Sequence, residues 1–371
     1  MDKFINEKTK RVLIVILGIL SVVSLIKGIM NAAESSVDFL YNDFQSAVFQ
    51  HDYYNAQFPF TFWMMFFFAL FSAEIAKNIW IFCNLVFTAV IIVLIRKTFL
   101  KAMPGTDYCI LVLMMIAGGA WRTNISNGQY KLAFFMFYLL AVFFLDYGDG
   151  VTGSFFSRHR DCVAGLFLSM TAFQYTLAVP LGVYFIYRKR FMVMVSAFFP
   201  LALSFIGSAW WFGGVRNITL KQLGFSRQLT AEGDVDIQSV LGLGNLVIPI
   251  FLAGVLFLII LAYVIKWKSN DDTLFFSIAL MTAYATAYQR IYSFFILIIP
   301  LGLLWMMYNE DPKDRAVLIA SCLMLLLTTT VFFSRTASEQ LGLMLTRILF
   351  YPAYGMLLFI AFRRGLVFNE R

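Results

Sequence analysis

The sequence predicts an all-α, polytopic bundle of membrane-spanning helices, on three observations. Apolar residues make up 61% of the 371-residue chain and charged residues only 13%, where a water-soluble domain is nearer half and a quarter. Apolar runs long enough to cross a bilayer recur from one end of the chain to the other. Between them sit short basic clusters, which is how the net charge of +8 is distributed. That distribution argues against a nucleic-acid partner, which would need the positive charge gathered on one patch. A mean hydropathy of +0.79 agrees with the same class. The 42 Phe, 17 Tyr and 7 Trp suit lipid-facing positions, interfacial belts and sugar-stacking sites.

A spanning helix needs roughly 17–25 mostly apolar residues. The segments that qualify are 12–31, 58–74, 79–95, 107–121, 131–147, 191–211, 245–266, 273–289, 291–308, 315–333 and 344–362, giving about 10–12 membrane helices once short re-entrant pieces are added. The first reads as a retained anchor, since it is long and has no small-residue cleavage site. Lys8, Lys10 and Arg11 place the N-terminus in the cytoplasm and 32–57 outside. The stretch 162–187 differs from the others, with Arg158, His159 and Arg160 before it and Arg188, Lys189 and Arg190 after it. Both flanks belong inside, yet the stretch is too short to cross twice. It is either a re-entrant pair of half-helices around Gln174 and Tyr175 or an ordinary span with one basic flank misplaced. Strict alternation through 58–74 and 79–95 also puts Arg96, Lys97 and Lys101 outside, against the positive-inside tendency, so either 58–95 crosses only once, with a half-inserted piece, or the tendency fails here. The chain reads as one domain with two outer loops, 32–57 and 212–244.

Cys83, Cys109, Cys162 and Cys322 stand singly, so neither a disulfide framework nor a zinc site is expected. No Walker loop, GxSxG elbow, HExxH or post-strand GxGxxG is present, and no metal or cofactor is expected. Three polar features remain. The first outer loop carries Glu34, Asp38, Asp43, His51 and Asp52 among Tyr41, Tyr53 and Tyr54. A carboxylate held at the membrane surface can act as general base on a sugar hydroxyl, and tyrosine rings can stack on sugar faces. Asp38 and Asp43 are five residues apart and would not share a helical face, so they are alternatives; the plain reading is a solvated acidic loop. The second is Trp121–Lys131, with Arg122, Asn124, Asn127, Gln129 and Lys131 around the turn-forming Gly128, otherwise a polar connection. The third is Gln289-Arg290, a charge in the midst of a long uncharged stretch. An arginine at such depth is a phosphate-binding candidate, or else an interfacial turn residue.

The order of these motifs resembles glycosyltransferase family 87, polyprenol-phosphate-sugar-dependent transferases of the GT-C fold. The residues that carry the resemblance are Val37-Asp38-Phe39, Gln57-Phe58-Pro59, Asn127-Gly128-Gln129, and a short helix pair with a small-residue start, Ala164-Gly165, and a basic end at Arg190. The resemblance covers about 10–310. It implies transfer of a mannose-like sugar from a polyprenyl-phosphate donor to a glycan or glycolipid acceptor, inverting, in the plasma membrane with the active side outside. Asp38 would be the base, with Asp43 its alternative. Arg290, Arg122 and Gln289 would meet the donor phosphate, and Tyr41, Tyr53, Asn127, Gln129 and Gln174 would contact substrate. Two departures stand out: the family has lysine near the middle of the short helix pair, where this chain has Gln174, and often histidine late in the chain, where it has Gln289 and Arg290. A transporter or flippase for a lipid-linked or small polar substrate is the rival reading, and a transferase turned binding protein a third. The acidic aromatic loop and the lack of an inverted repeat favour the transferase.

Overall fold

The computed structural model describes residues 6–34, 44–51, 63, 66–147, 158–216, 235–242, 246–266, 271–287, 290–333 and 339–367. Among them every regular element is helical and no strand occurs, because hydrocarbon offers a backbone no partner but itself. The first helix, α1 (Glu7–Glu34), turns its large aliphatic residues outward: Val15, Ile19 and Val23 are exposed, while Ser21, Ser24, Gly28 and Ala32 face inward. Small residues inside and bulky ones outside mark a helix with protein on one side and lipid on the other.

A short helix, α2 (Phe44–Phe49), and a 3-10 turn (Phe66–Leu70) precede α3 (Ala73–Thr98). Ser72 caps α3 by accepting from the Ile75 N–H, and at its far end Arg96 donates to the Leu100 and Met103 carbonyls, closing the turn into α4 (Gly105–Ala117). There Lys10 of α1 pairs with Asp107 in the first turn of α4, and Tyr108 donates to the Ile92 carbonyl. Arg96, Lys97 and Lys101 therefore lie at the same end of the bundle as Lys10. The segment expected at 79–95 is contained in the one helix Ala73–Thr98. Of 58–74, residues 58–62, 64 and 65 lie outside the described residues, and 66–70 form only the 3-10 turn.

After α4 the chain kinks at Gly118 into α5 (Gly119–Asn127), inclined by 50°. A side chain at Gly118 would meet Phe332 at 2.8 Å. Ser21 of α1 donates to the Leu113 carbonyl and Gly28 lies against Arg122 and Ile125, so α4 and α5 run alongside α1 toward the opposite end. From there α6 (Lys131–Tyr147) returns.

The stretch 162–187 is a re-entrant pair, α7 (Arg160–Ser169) and α8 (Tyr175–Tyr187), joined by a 3-10 turn, Ala172–Gln174. Along α7, Phe167 stacks on Phe144 and Phe137 while Phe173 reaches Phe134, so α7 runs against α6. Along α8, Gln174 meets Lys131, Leu181 meets Tyr138 and Arg188 meets Asp146, so α8 runs with α6. Both ends fall at the basic end, where Arg190 lies 3.7 Å from Asp161. Gly165 seats the pair against α9 (Phe191–Trp211): a Cβ there would stand 2.7 Å from the Val193 carbonyl oxygen.

The rest comprises α10 (Ile237–Leu241), α11 (Val247–Lys266), α12 (Asp272–Thr286), a 3-10 segment (Ile291–Leu297), α13 (Ile298–Glu310), α14 (Arg315–Phe333) and α15 (Glu339–Val367). Burial separates centre from rim. The apolar window of Tyr292–Glu310 is 78% buried, against 17% for Phe191–Trp211. The centre is aromatic, with Tyr187 on Phe275 and Tyr284 on Phe294 at 4.2 Å.

Among the described residues six helices are long and apolar enough to cross a membrane, and the bent pairs raise this to as many as eight. The chain is a multi-pass membrane protein. Its basic end is tied by ion pairs: Arg188 bridges Asp146 and Asp272 at 2.9 Å each, and Lys101 lies 3.6 Å from Asp146. At that end Asp314 caps α14 by accepting from Ala316 and Val317, and the hydrogen bond from Arg363 holds its carboxyl below the usual value. The four cysteines are free.

Candidate active site

At the opposite end of the bundle three polar breaks in the helices converge. The first is Asn127-Gly128-Gln129, where α5 stops. Gly128 adopts φ 67°, the left-handed conformation that a glycine takes without strain, and its N–H bonds back to Ile125 while that of Gln129 bonds to Asn124. Trp80 of α3 donates its indole N–H to the Gly128 carbonyl at 2.9 Å and packs 5.2 Å from Tyr130. The turn expected from Gly128 is thus present, and α3 holds it.

The second break is the link from α12 into the 3-10 segment, at Arg290. Ser293 bonds to the Arg290 carbonyl through both its N–H, at 2.9 Å, and its hydroxyl, at 2.7 Å. Tyr284 donates to the Ser293 carbonyl at 2.7 Å. Asn124 then joins this break to the first: its Nδ2 donates to the Tyr292 carbonyl at 2.6 Å. Two stretches that the sequence separates by 168 residues share one hydrogen bond.

The third break is the tip of the re-entrant hairpin. Lys131, the first residue of α6, donates from Nζ to Gln174 Oε1 at 2.5 Å. Phe173 and Tyr130 lie 6.2 Å apart beside it. Asn127, Gln129, Gln174 and Arg290 lie at these breaks, and Arg122 lies on α5, in the first turn of the helix that ends at the first of them; all five are candidates from the sequence. Arg122 and Arg290 are half-buried and Gln129 is buried. Gly28 of α1 gives Arg122 its room, since a Cβ there would come within 3.4 Å of the arginine stem.

Asp38, Tyr41, Asp43, Tyr53 and Gln289 lie outside the described residues, as does Gln57-Phe58-Pro59. Helix α1 ends at Glu34 level with this polar end, and Lys77 at the start of α3 donates to the Ala33 carbonyl. The chain thus departs toward Asp38 from the end where the breaks meet. Nearby, His51 lies 3.2 Å from the Trp211 carbonyl through Nδ1 and packs at a tilt on that indole, ring centres 4.7 Å apart, while Trp63 donates to Ser208 Oγ at 2.9 Å. This end therefore also carries an aromatic cluster.

Two residues escaped the sequence reading. Lys131 stood there only as a polar member of a connecting turn; its partner lies 43 residues away, beyond any local spacing. Asn84 stood inside an apolar run with no flanking motif to single it out.

Helices built for a bilayer, with polar breaks and cations gathered at one end, define a membrane-embedded protein that handles a polar substrate at the lipid boundary. The profile of glycosyltransferase family 87 matches residues 59–329, well over half of the chain, and the chain belongs to that family. It is a membrane glycosyltransferase, with a sugar donor, an acceptor and a lipid bilayer as partners, which decides against the transporter reading. The matched segment includes Asn127-Gly128-Gln129 and the hairpin from Ala164 to Arg190, whereas Asp38 precedes it. Comparison with curated proteins and with solved structures gives no match.

Proposed function

We propose that this glycosyltransferase moves a mannose-like hexose from a polyprenyl-phosphate donor to a glycan or glycolipid acceptor, at the polar end of the bundle and with inversion. The observation that carries the reading is the hydrogen bond from Asn124 to the Tyr292 carbonyl, which ties α5, the helix of Arg122, to the break at Arg290, in a chain with helices long and apolar enough to cross a membrane. A lipid-linked donor brings its phosphate to that depth, and guanidinium groups suit a phosphate.

In the proposed reaction Asp38 accepts the proton of an acceptor hydroxyl. The freed oxygen attacks the anomeric carbon from the face opposite the phosphate, the new glycosidic bond forms, and the bond from that carbon to the phosphate oxygen breaks with its electrons going to the phosphate. The leaving polyprenyl phosphate gains negative charge, which Arg290 and Arg122 stabilise, with Gln289 beside them. Tyr41 and Tyr53 stack on sugar rings, and Asn127, Gln129 and Gln174 supply hydrogen bonds to hydroxyls. Asp43 is the alternative base.

The basic clusters support an orientation. Lys8, Lys10, Arg11, Arg96, Lys97, Lys101, Arg188 and Arg363 all belong to the end opposite the polar breaks. Under the positive-inside tendency that end is cytoplasmic, and the reaction takes place on the outer side of the plasma membrane.

The test is sugar transfer in proteoliposomes given labelled polyprenyl-phosphate mannose and a membrane glycan extract, comparing native protein with Asp38→Asn and Asp43→Asn. Losing the base is expected to slow transfer about 100-fold or more in Asp38→Asn and little in Asp43→Asn. Native rates in folded Asp38→Asn would remove the base assignment, and a loss confined to Asp43→Asn would move it to that residue.

A further inference from the structure

The re-entrant hairpin begins and ends in a basic run, Arg158-His159-Arg160 and Arg188-Lys189-Arg190, and the fold sets the two runs side by side at the basic end of the bundle. Arg190 lies 3.7 Å from Asp161 in the first turn of α7, and Arg158 stands three residues before Asp161. Arg188 is engaged by Asp146 and Asp272. Arg158, Arg160, Lys189 and Arg190 remain, and Asp161 is the only carboxylate in the sequence from 158 to 190. Arg158 and Lys189 are exposed, Arg160 and Arg190 half-buried. The patch is therefore strongly positive and open to its surroundings.

Lys189 is held there at a cost. It adopts φ 57°, the left-handed region, where α8 stops. The Arg190 N–H bonds back to the Phe185 carbonyl at 2.9 Å and the Lys189 N–H to that of Ile186 at 2.9 Å. Helices that end this way ordinarily place glycine at the left-handed position, because a Cβ there crowds the following carbonyl. A lysine kept in a strained backbone, with its ammonium exposed, marks a candidate site. Neither Lys189 nor Arg158 has a side-chain hydrogen bond or ion pair among the described residues.

Directly after this turn the surface becomes apolar. Phe191, Val195 and Phe198, spaced four and three apart and so on one face of α9, are 60% to 70% exposed. Among the candidate spans α9 is the least buried, so that face lies against hydrocarbon. Cations above an exposed apolar stripe fit an amphipathic ligand with an anionic head and hydrocarbon tails, and basic pockets beside membrane helices take such headgroups.

We infer that the base of the hairpin binds an anionic phospholipid from the leaflet at the basic end, its phosphate between Lys189 and Arg158 and its acyl chains along Phe191, Val195 and Phe198. This site lies at the opposite end from the polar breaks, so it is separate from the sugar chemistry and does not depend on the identity of the donor. The bound lipid ties the start of α7 to the end of α8, and a ligand that binds only the folded state stabilises it.

In the experiment, purified full-length protein in a neutral detergent is titrated with phosphatidylglycerol and, separately, with phosphatidylcholine carrying the same acyl chains. Native mass spectrometry counts the bound lipid, and the melting temperature without lipid reports folding. The proteins compared are native, Lys189→Gly, Arg158→Gln with Lys189→Gly, and Lys8→Gln with Arg11→Gln, which removes two exposed cations from α1 at the same end. Native protein is expected to bind one phosphatidylglycerol about tenfold more tightly than phosphatidylcholine. Lys189→Gly is expected to melt no lower than native, since glycine relieves the backbone, yet to bind phosphatidylglycerol about fivefold more weakly; the Arg158 and Lys189 double variant is expected to lose about 25-fold. The Lys8 and Arg11 double variant is expected to keep the native affinity. Equal native affinity for the two lipids, or native affinity in the Arg158 and Lys189 double variant, would overturn the site. An equal loss in the Lys8 and Arg11 double variant would reduce it to the diffuse charge of that end and overturn it as well. Displacement of the lipid by an equal concentration of inorganic phosphate would overturn the phospholipid as the ligand.

Discussion

Asn84 lies on α3 one turn from Trp80 and one turn from Thr88, fully buried, and neither atom of its amide bonds to another group among the described residues. Trp80 is occupied with the Gly128 carbonyl, and Thr88 accepts from the Trp121 indole at 3.0 Å. Asn84 is thus held level with the last turn of α5, where Asn124 Oδ1 is likewise without a partner. Burying an unbonded amide costs about 1–3 kcal/mol, and an apolar residue of the same shape avoids that. Asn84→Leu is accordingly expected to raise the melting temperature of the purified protein by an amount worth about 1 kcal/mol; a fall would mean that the amide is bonded in the native protein. At this scale the sequence was informative where chemistry is local. Asn127, Gly128 and Gln129 announced a turn because glycine beside polar residues stops a helix, and the turn is there. Lys131 with Gln174 and Asn124 with Tyr292 were not legible, since each pair is made by helices whose packing no spacing encodes.

Helix packing against backbone decides the hairpin. Gly165 allows α7 to lie on α9 so closely that a Cβ would stand 2.5 Å from the Ser196 Cβ and 2.9 Å from the Ala197 nitrogen, so two backbones, rather than a flexible side chain, would have to move. Gly165→Leu is expected to destabilise the protein by about 1–3 kcal/mol or more and to abolish transfer by unseating the tip that carries Gln174. Gly105→Ala, with nothing within 4 Å of the added carbon, is the neutral control. A native melting temperature and native activity in Gly165→Leu would contradict the seating. The hairpin itself was half legible. Two basic flanks around a stretch too short to cross twice left a re-entrant pair and a misplaced flank equally open, and only the ring contacts of Phe167 and the pairing of Arg188 with Asp146 separate them.

Across the whole molecule, charge sorts to one end and polar breaks to the other. The fold class followed from composition because hydrocarbon tolerates few alternatives to helices. Segment 79–95 lies within one helix, Ala73–Thr98, whose far end sets Arg96 beside the turn into α4, and Asp107 of that turn pairs with Lys10. Arg96, Lys97 and Lys101 join the other basic clusters, and the two ends acquire distinct chemistry. The acidic loop that supplies Asp38 leaves from the end where Arg122, Lys131 and Arg290 gather, which suits a reaction between a donor held in the bilayer and an acceptor arriving from water. The most direct test of this account compares two donors in proteoliposomes containing the native protein: labelled mannose on polyprenyl phosphate and labelled mannose on a nucleotide. Transfer to the acceptor from the lipid-linked donor alone is the predicted result; transfer from the nucleotide-linked donor without any lipid intermediate would contradict it.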